Sequence, residues 1–533
     1  MMKVLRLIPN CHDRDFSFVL LSLCTSALLL LVGCESEDSF VPSNLGRAAN
    51  EAPTPVSPDP RLIVLISVDT LRADHLSLYG HHRFTSPKLE LFAEGGTVFK
   101  DASTVAPWTL PAHASMLTGL YPLEHGVIDE SSRLPDEIPT VAGLLADQGW
   151  QTAAAVNSGW LLQKNYEVTR GFENFLFVED VAHQRFPTSG ITSQGIRWIE
   201  QLGDKNLFVF MHYYDVHSDY KSLEKYEKLF VSPYDGAADG TTWQLQLASF
   251  PPEFVNACRA NSELNGCRFG KGKYANQLDS STKVLDFKPE DLRHIEELYD
   301  AGIRQFDDEI GRLLDFLEST GRLDSALIII TSDHGEEFHE HGSLYHYITT
   351  YQEVLHVPLI LRGKGVPAGL RVEAPVSIVD IAPTILSWAE VEPPLRIDGD
   401  DLNALLGNAS EVPGAPDPSN RFFERFQYAE ASGGMQWEDA IAGEVAIYSS
   451  IRQGNYKLVM TAGGNVVGLY NLKADPHEKV DLALTEPSVL KALQHELDRR
   501  IQEFEARPKY DNQIELDPDE IEKLRALGYG VGE

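Results

Sequence analysis

Four short apolar runs in this chain lack polar alternation, and each stops at a residue able to bind a metal or an anion. Arg61–Val68 stops at Asp69, and Ser325–Ser332 stops at Asp333 and His334. Thr152–Val156 ends at Asn157, and Leu207–Met211 ends at His212, with Asp215 and His217 just beyond. Such β-branched runs read as strands covered on both faces, the pattern of a parallel sheet between helices. In open sheets of this kind a ligand sits beyond the carboxyl ends of the strands. The four ends are therefore expected to converge on one place.

The 533 residues exceed what one simple core usually holds, so one large α/β domain with appendages, or two domains, is expected. After strand Leu62–Val68 comes Ala106-Pro-Trp-Thr109-Leu-Pro111-Ala-His113, running on to Gly119. Pro111 suits a first helical residue and Gly119 a stop, which puts Thr109 at or just before a helix N-terminus. Leu292, Ile295, Tyr299, Ile303, Phe306, Ile310, Leu313 and Leu317 recur at helical spacing and predict a long helix ahead of the run ending at Ser332. Between about 218 and 289 the periodicity fades into Gly, Asn, Ser and Lys, an insertion at the rim of the site. From about Asn420 the pattern changes to short strands, near Glu444–Arg452 and Tyr456–Met460, and then to a charged helix from about Pro487 to Glu505. The expected fold is thus α/β: a large mixed, mainly parallel sheet between helix layers over 61–419, with a small α+β subdomain over 420–533.

The N-terminus is set apart. Lys3, Arg6 and Arg14 precede the apolar stretch Phe16–Gly33, which ends Leu31-Val-Gly-Cys34. This resembles a bacterial lipoprotein signal over 1–33, with Cys34 acylated as the mature N-terminus; an uncleaved anchor is the alternative, since about 18 apolar residues can span a bilayer. Either way the remainder is exported, and the lipoprotein reading puts it in the bacterial cell envelope, lipid-anchored and periplasm-facing or on the outer membrane. Residues 34–60, acidic and with five prolines, read as a tether. The formal net charge of −34 excludes nucleic acid as a partner and disfavours anionic lipid headgroups. Of the five cysteines, Cys11 and Cys24 leave with the signal and Cys34 is the lipid site. Cys258 and Cys267, an even pair in an exported chain, read as a disulfide closing a small loop.

Asp69, Asp333 and His334 offer two hard oxygen ligands and one imidazole, a set suited to zinc, manganese, magnesium or calcium. One Asp at a strand end is as easily a helix cap; several at equivalent ends, with Thr109 at a helix start, point to a divalent cation beside an alcohol. A threonine hydroxyl is a poor nucleophile until a base or metal helps it ionise. A helix N-terminus adds free N–H groups and partial positive charge, which favour an alkoxide and a tetrahedral anionic ester. The task these residues suit is transfer of an anionic ester group onto Thr109.

At this point the chain resembles a sulfatase of the alkaline phosphatase superfamily, over about residues 61–533. Val68-Asp-Thr-Leu-Arg72, Trp108-Thr-Leu-Pro-Ala-His113, Met116–Pro122 followed by His125-Gly126, Thr331-Ser-Asp-His-Gly-Glu-Glu337, Glu340-His-Gly342, Val357-Pro-Leu359 and Leu469–Pro476 occur in that family's order. Two departures matter. Where sulfatases carry a Cys or Ser that becomes formylglycine in Cys/Ser-x-Pro-x-Arg, this chain has Thr109 and His113, so no formylglycine can form. The paired Asp-Asp of many sulfatases is Asp69-Thr70 here, and the usual Asp-Asn is Asp333-His334.

Both changes resemble superfamily members acting on phosphate or phosphonate esters, or transferring phosphoglycerol, through an unmodified threonine. The resemblance implies a metal-dependent hydrolase of sulfate or phosphate/phosphonate esters of a small molecule, glycan or lipid. A phosphoglycerol-type transferase and a non-catalytic anion-binding lipoprotein are the alternatives. It implies Asp69, Thr109, Asp333 and His334 as metal ligands and Asn157, His217 and His346 around the transferring group. His346 then protonates the leaving oxygen, with His217 second, and His113 orients Thr109. His125 either holds the turn after the nucleophile helix or takes part directly. His212 packs under the sheet, and Glu336 and Glu337 open a helix, where carboxylates are favoured.

Overall fold

The computed structural model describes residues 61–178, 187–249, 255–256, 260, 284–407, 417–431, 448–461, 463–506 and 510–514. The signal segment 1–33, the tether 34–60 with Cys34, and the Cys258–Cys267 pair lie outside the described residues. Among the described residues no helix is long and apolar enough to cross a membrane.

The apolar runs become strands with the expected bounds or one or two residues either side. In chain order they are β1 (Leu62–Val68), β2 (Thr97–Ser103), β3 (Gln151–Val156), β4 (Asn174–Phe177), β5 (Leu207–Tyr213) and β6 (Leu327–Ser332). Two short strands follow, β7 (Glu337–Phe338) and β8 (Leu344–Tyr345), then β9 (His356–Gly363), β10 (Leu370–Val372) and β11 (Val376–Ser377). The main sheet runs in the order β10, β2, β9, β6, β1, β5, β3, β4, with β11 beside β2. The four runs singled out in the sequence are therefore its four neighbouring central strands. They are parallel and in close register: Val68 lies opposite both Ser332 and Tyr213, and Ala155 opposite Met211. β9 is antiparallel to β6 and β2, which makes the sheet mixed.

Side chains alternate across a strand, so a run that is apolar throughout must be covered twice. Ile63 and Leu65, with Phe208, Phe210 and Ile329, enter one core beneath the helices Thr109–Thr118 and Ile381–Ala389. Val64 and Ile66, with Val209, Met211, Ile328 and Ile330, enter the other, packed on the long helix Pro289–Ser319. That helix buries Ile295, Tyr299, Ile303, Phe306, Ile310, Leu313 and Leu317, the 3.6-residue stripe read in the sequence. Each such side chain is worth about 1.5–3 kcal/mol on burial.

The C-terminal part forms an antiparallel sheet of β12 (Phe426–Glu430), β13 (Tyr448–Gln453), β14 (Tyr456–Thr461) and β15 (Val466–Asn471), followed by the helix Pro487–Glu505. Its Tyr428, Ile451, Leu458, Leu469, Leu493 and Leu497 share one core with the helix Thr109–Thr118. Asp59–Glu533 is one compact unit. Glu336 and Glu337 do not open a helix. Glu337 pairs with Tyr345 across β7 and β8, because Phe338-His-Glu-His-Gly lacks the apolar spacing that a helix needs to bury a face.

Candidate metal centre at the strand ends

Parallel register carries the residues after β6, β1, β5 and β3 to one edge of the sheet. Asp69, Asp333, His334 and His212 are each 0% exposed there, and Asn157 is 6% exposed. Asp69 is followed by Thr70 at φ 56°, a left-handed conformation costly for a β-branched residue. Thr70 is held there by the Tyr299 hydroxyl, which donates to its carbonyl at 2.7 Å, and by its own N–H, which donates to Asp333 Oδ1 at 3.3 Å. Gly335 follows His334 because a Cβ at that position would overlap the Glu353 carbonyl.

The helix Thr109–Thr118 starts at the threonine itself, with Trp108 as its N-cap, so Pro111 lies inside the first turn rather than at its first position. Proline is tolerated there because the first turn's N–H groups have no helical acceptor. Gly119, at φ 73°, ends the helix. Thr109 thus sits on free N–H groups, and its hydroxyl donates to Asp69 Oδ2 at 3.3 Å.

Three donor atoms meet without partners. Asp69 Oδ1, Asp333 Oδ2 and His334 Nε2 are buried and make no hydrogen bond. His334 Nε2 lies 3.5 Å from each of the two carboxylate oxygens, and one ligand atom from each residue lies within 4.8 Å of the others. His334 Nδ1–H donates to the Gly335 carbonyl at 2.9 Å, which leaves the Nε2 lone pair facing the carboxylates. Two buried carboxylates with orphaned oxygens are costly unless a cation completes them. The residues fit a divalent cation.

Burial pushes the Asp69 and Asp333 carboxyls above their ordinary values, and at Asp333 the neighbouring Asp69 adds to it. Burial works against the His334 imidazolium, but the Asp333 and Asp69 carboxylates more than reverse it and raise that pKa. A bound cation inverts this local logic and keeps both carboxylates ionised.

His212, expected to pack beneath the sheet, belongs to this centre. It lies within β5, which runs on to Tyr213, and its Nε2 is a fourth orphaned atom, 3.4 Å from Asp69 Oδ2. Its Nδ1–H donates to Asn157 Oδ1 at 3.2 Å, while Asn157 Nδ2 is itself buried and unpartnered. The signal was present in the chain, since the strand run continues through His212 to a buried tyrosine. Burial holds His212 neutral, its pKa lowered to about 4.

His113 is tied to the Thr109 backbone. Its Nδ1–H donates to the Thr109 carbonyl at 2.8 Å, as i and i+4 positions allow, and its Nε2 lies 3.0 Å from the Ser67 hydroxyl. Both ring nitrogens are used, so this ring is a support rather than a ligand, although it stands 3.6 Å from Asp333 Oδ2. Burial lowers its pKa to about 3. His125 holds the turn after the helix, with Ser115 Oγ 2.9 Å from its Nε2 and the Val127 N–H donating to its Nδ1 at 3.1 Å.

His217 and His346 stand together on the other side. Their rings meet edge to face at 5.1 Å, and His346 packs 4.6 Å from the ring of His334. His217 stacks on Tyr214 at 4.2 Å and its Nε2 lies 3.3 Å from that hydroxyl; burial lowers its pKa to about 4. His346 has Nδ1 2.9 Å from Glu336 Oε1, and burial drives its pKa well below the ordinary value. Burial pushes Glu336 up to about 7. The sequence placed Glu336 outside the site because a carboxylate after His-Gly reads as a helix opening. His341 lies away from the centre, its Nδ1 2.5 Å from Glu353 Oε1 and its Nε2 3.2 Å from the Glu478 carbonyl.

Comparison with known proteins gives the family. The Sulfatase family model matches residues 61–391, and the model for the C-terminal part of N-sulphoglucosamine sulphohydrolase matches 339–507. An N-acetylglucosamine-6-O-sulfatase of Bacteroides thetaiotaomicron is 25% identical over 519 residues, covering 87% of this chain and 89% of its own. An ulvan-active sulfatase of Formosa agariphila is 26% identical over 466 residues, covering 84% of this chain and 83% of its own. The phosphonate monoester hydrolase of Agrobacterium radiobacter shares the fold, with a TM-score of 0.62 at 22% identity, covering 84% of this chain and 95% of that one. With the family model spanning well over half of the residues, the chain belongs to the Sulfatase family of the alkaline phosphatase superfamily and is an ester hydrolase.

Proposed function

We propose that this protein hydrolyses anionic phosphate or phosphonate esters, with Thr109 as nucleophile and a divalent cation held by Asp69, Asp333 and His334. The observation that carries this reading is the meeting of three orphaned donor atoms beside the Thr109 hydroxyl. A bound divalent cation would supply positive charge that lowers the cost of ionising that hydroxyl and of admitting an anionic ester. Thr109, as an alkoxide at a helix N-terminus, attacks the phosphorus. The unpartnered Asn157 Nδ2 is placed to donate to an oxygen of the transferring group. His346 protonates the leaving oxygen, with His217 against it, and in the second half accepts a proton from the water that cleaves the threonine ester and restores the alkoxide. His113 holds the first turn of the nucleophile helix through the Thr109 carbonyl.

The preference for phosphorus follows from Thr109. A formylglycine hydrate can expel sulfate by elimination, whereas a threonine ester must be opened by a second in-line attack, which phosphorus tolerates better than sulfur. Sulfated glycans remain the competing class, because the relatives include sulfatases named for an N-acetylglucosamine sulfate and for ulvan. We further infer a setting on the bacterial cell envelope, anchored through a lipid at Cys34. The test is a panel of sulfate, phosphate mono- and diesters and phosphonates, run with metal-stripped and metal-reloaded protein. Turnover of phosphorus esters only after reloading supports the reading. Turnover confined to sulfate esters would overturn the substrate class. Thr109→Ala should remove activity on the best substrate while leaving fold and metal content intact, and Thr109→Ser should retain part of it. Near wild-type turnover by Thr109→Ala would mean direct attack by water.

A further inference from the structure

Glu336 lies beside the metal ligands with both of its oxygens engaged. Its Oε2 accepts a hydrogen bond from the Tyr220 hydroxyl at 2.8 Å and its Oε1 lies 2.9 Å from His346 Nδ1, so neither oxygen is orphaned as those of Asp69 and Asp333 are. The side chain is fully buried, and its backbone is tied at both ends. The Glu336 N–H donates to the Glu353 carbonyl at 3.1 Å, and the Glu336 carbonyl accepts from Arg72 Nη1 at 2.9 Å. Tyr220, 3% exposed, is wedged edge to face on Tyr299 at 5.7 Å and tilted on Phe338 at 6.0 Å. His346 is held between Tyr345 at φ 73° and Tyr347 at φ 108°, two left-handed conformations that a tyrosine adopts only where its surroundings enforce it. Strain on either side and a carboxylate on Nδ1 leave the ring one orientation.

We propose that Glu336, oriented by Tyr220, is the positioning residue that aims the Nε2 proton of His346 at the leaving oxygen. This rests on the reading of His346 as the acid. As the bond from phosphorus to the leaving oxygen breaks, its electron pair passes to that oxygen, which takes the proton from Nε2. The proton between Nδ1 and Glu336 stays on Nδ1, and the bare Nε2 is then ready to accept a proton from the attacking water. A carboxylate on the far nitrogen thereby fixes which nitrogen faces the substrate and stabilises the charged ring that is formed when Nε2 takes the proton of the water.

The experiment compares an unactivated alkyl ester with a p-nitrophenyl ester of the same acid, which leaves without a proton, in Glu336→Gln, Tyr220→Phe, His346→Ala and the Glu336→Gln/His346→Ala double variant. Glu336→Gln should lower kcat on the alkyl ester by about 10-fold or more and on the p-nitrophenyl ester by less than about 3-fold, with KM and metal content unchanged. The double variant should be no slower than His346→Ala, since Glu336 acts only through that ring. Equal losses on the two esters in Glu336→Gln, a fall in metal content, or a further loss in the double variant would overturn the proposal while leaving His346 as the acid. Equal losses in His346→Ala would instead overturn the acid reading and this inference with it. Should Glu336→Gln fail to fold, Tyr220→Phe decides. A leaving-group-dependent loss of about 3-fold or more supports the proposal, and an equal effect on both esters overturns it.

Discussion

Among the described residues three groups of histidine and aspartate bring three possible ligand atoms within 4.8 Å; His113, His212 and Asp333 share Asp333 with the strand-end group, and the two groups that share no residue differ sharply in what they lack. In one, Asp69, Asp333 and His334 turn three buried atoms toward each other with no partner. In the other, Asp300 is equally buried but spends both oxygens. His75 Nδ1 lies 2.8 Å from Oδ1, and His81 Nε2 and Arg83 Nη1 lie 3.1 and 2.7 Å from Oδ2. Arg83 supplies the positive charge at the second cluster that only a cation can supply at the first. Ligand-type residues in proximity are thus no sign of a metal centre by themselves; unfilled hydrogen-bonding capacity is.

The strongest way to break this contrast is to remove a ligand from each cluster. Asp333→Asn or His334→Ala should lose metal and activity together, whereas Asp300→Asn should keep full metal content by elemental analysis. Full occupancy in both strand-end variants would show the wrong cluster was chosen. Asp300→Asn should fail differently, by stability. It leaves Arg83 with Glu297 Oε1 at 3.2 Å but takes a buried charged partner from Arg83, His75 and His81, a loss of about 1–3 kcal/mol in denaturant unfolding. A loss under about 1 kcal/mol would mean that the cluster is not held by its charges.

A smaller effect sharpens the same comparison. Returning a divalent cation at about 100 times its dissociation constant to stripped protein should stabilise it by about 2.7 kcal/mol, read as a rise in Tm. The gain should vanish in Asp333→Asn and persist in Asp300→Asn. The smallest expected effect is acid sensitivity. Burial alone would raise the Asp300 carboxyl, but the hydrogen bonds and charges of His75 and His81 carry it well below the ordinary range. A carboxyl depressed in the folded state contributes stability that is present above its unfolded pKa, near 4, and lost as pH falls below that toward its folded value. Unfolding free energy should therefore fall more steeply below about pH 4 in the wild type than in Asp300→Asn. Parallel curves would refute it.

Much of the large sheet was legible because its strands are buried on both faces, and short runs rich in β-branched residues and bounded by polar ones mark such strands. Thr109 was legible at the helix start because Pro111 and Gly119 bracket the helix, although it begins two residues before the proline. The short β7 was not. Two residues carry no period, and Glu336-Glu337 after a strand looks like a first helical turn until Tyr345 pairs with Glu337 across it. His212 was misplaced because the last residues of a strand face the site or the core by phase, and that phase needs the register against Ser67. How His113 meets Thr109 was not legible, since only the helix geometry shows its Nδ1–H donating to the Thr109 carbonyl.

The sequence by itself determined which segments are covered strands, that each ends in a ligand-type residue, and that Thr109 stands at a helix start. Those are local facts, written in adjacent residues. Tertiary structure alone decided that β6, β1, β5 and β3 are neighbours, so that Asp69 and Asp333, far apart in the chain, share one buried space. It also decided which of the histidines keep a free lone pair there. The physical reason is that strand order and register depend on how the helix layers cover the sheet, and the pairing of a ring nitrogen depends on what that packing leaves within 3 Å of it.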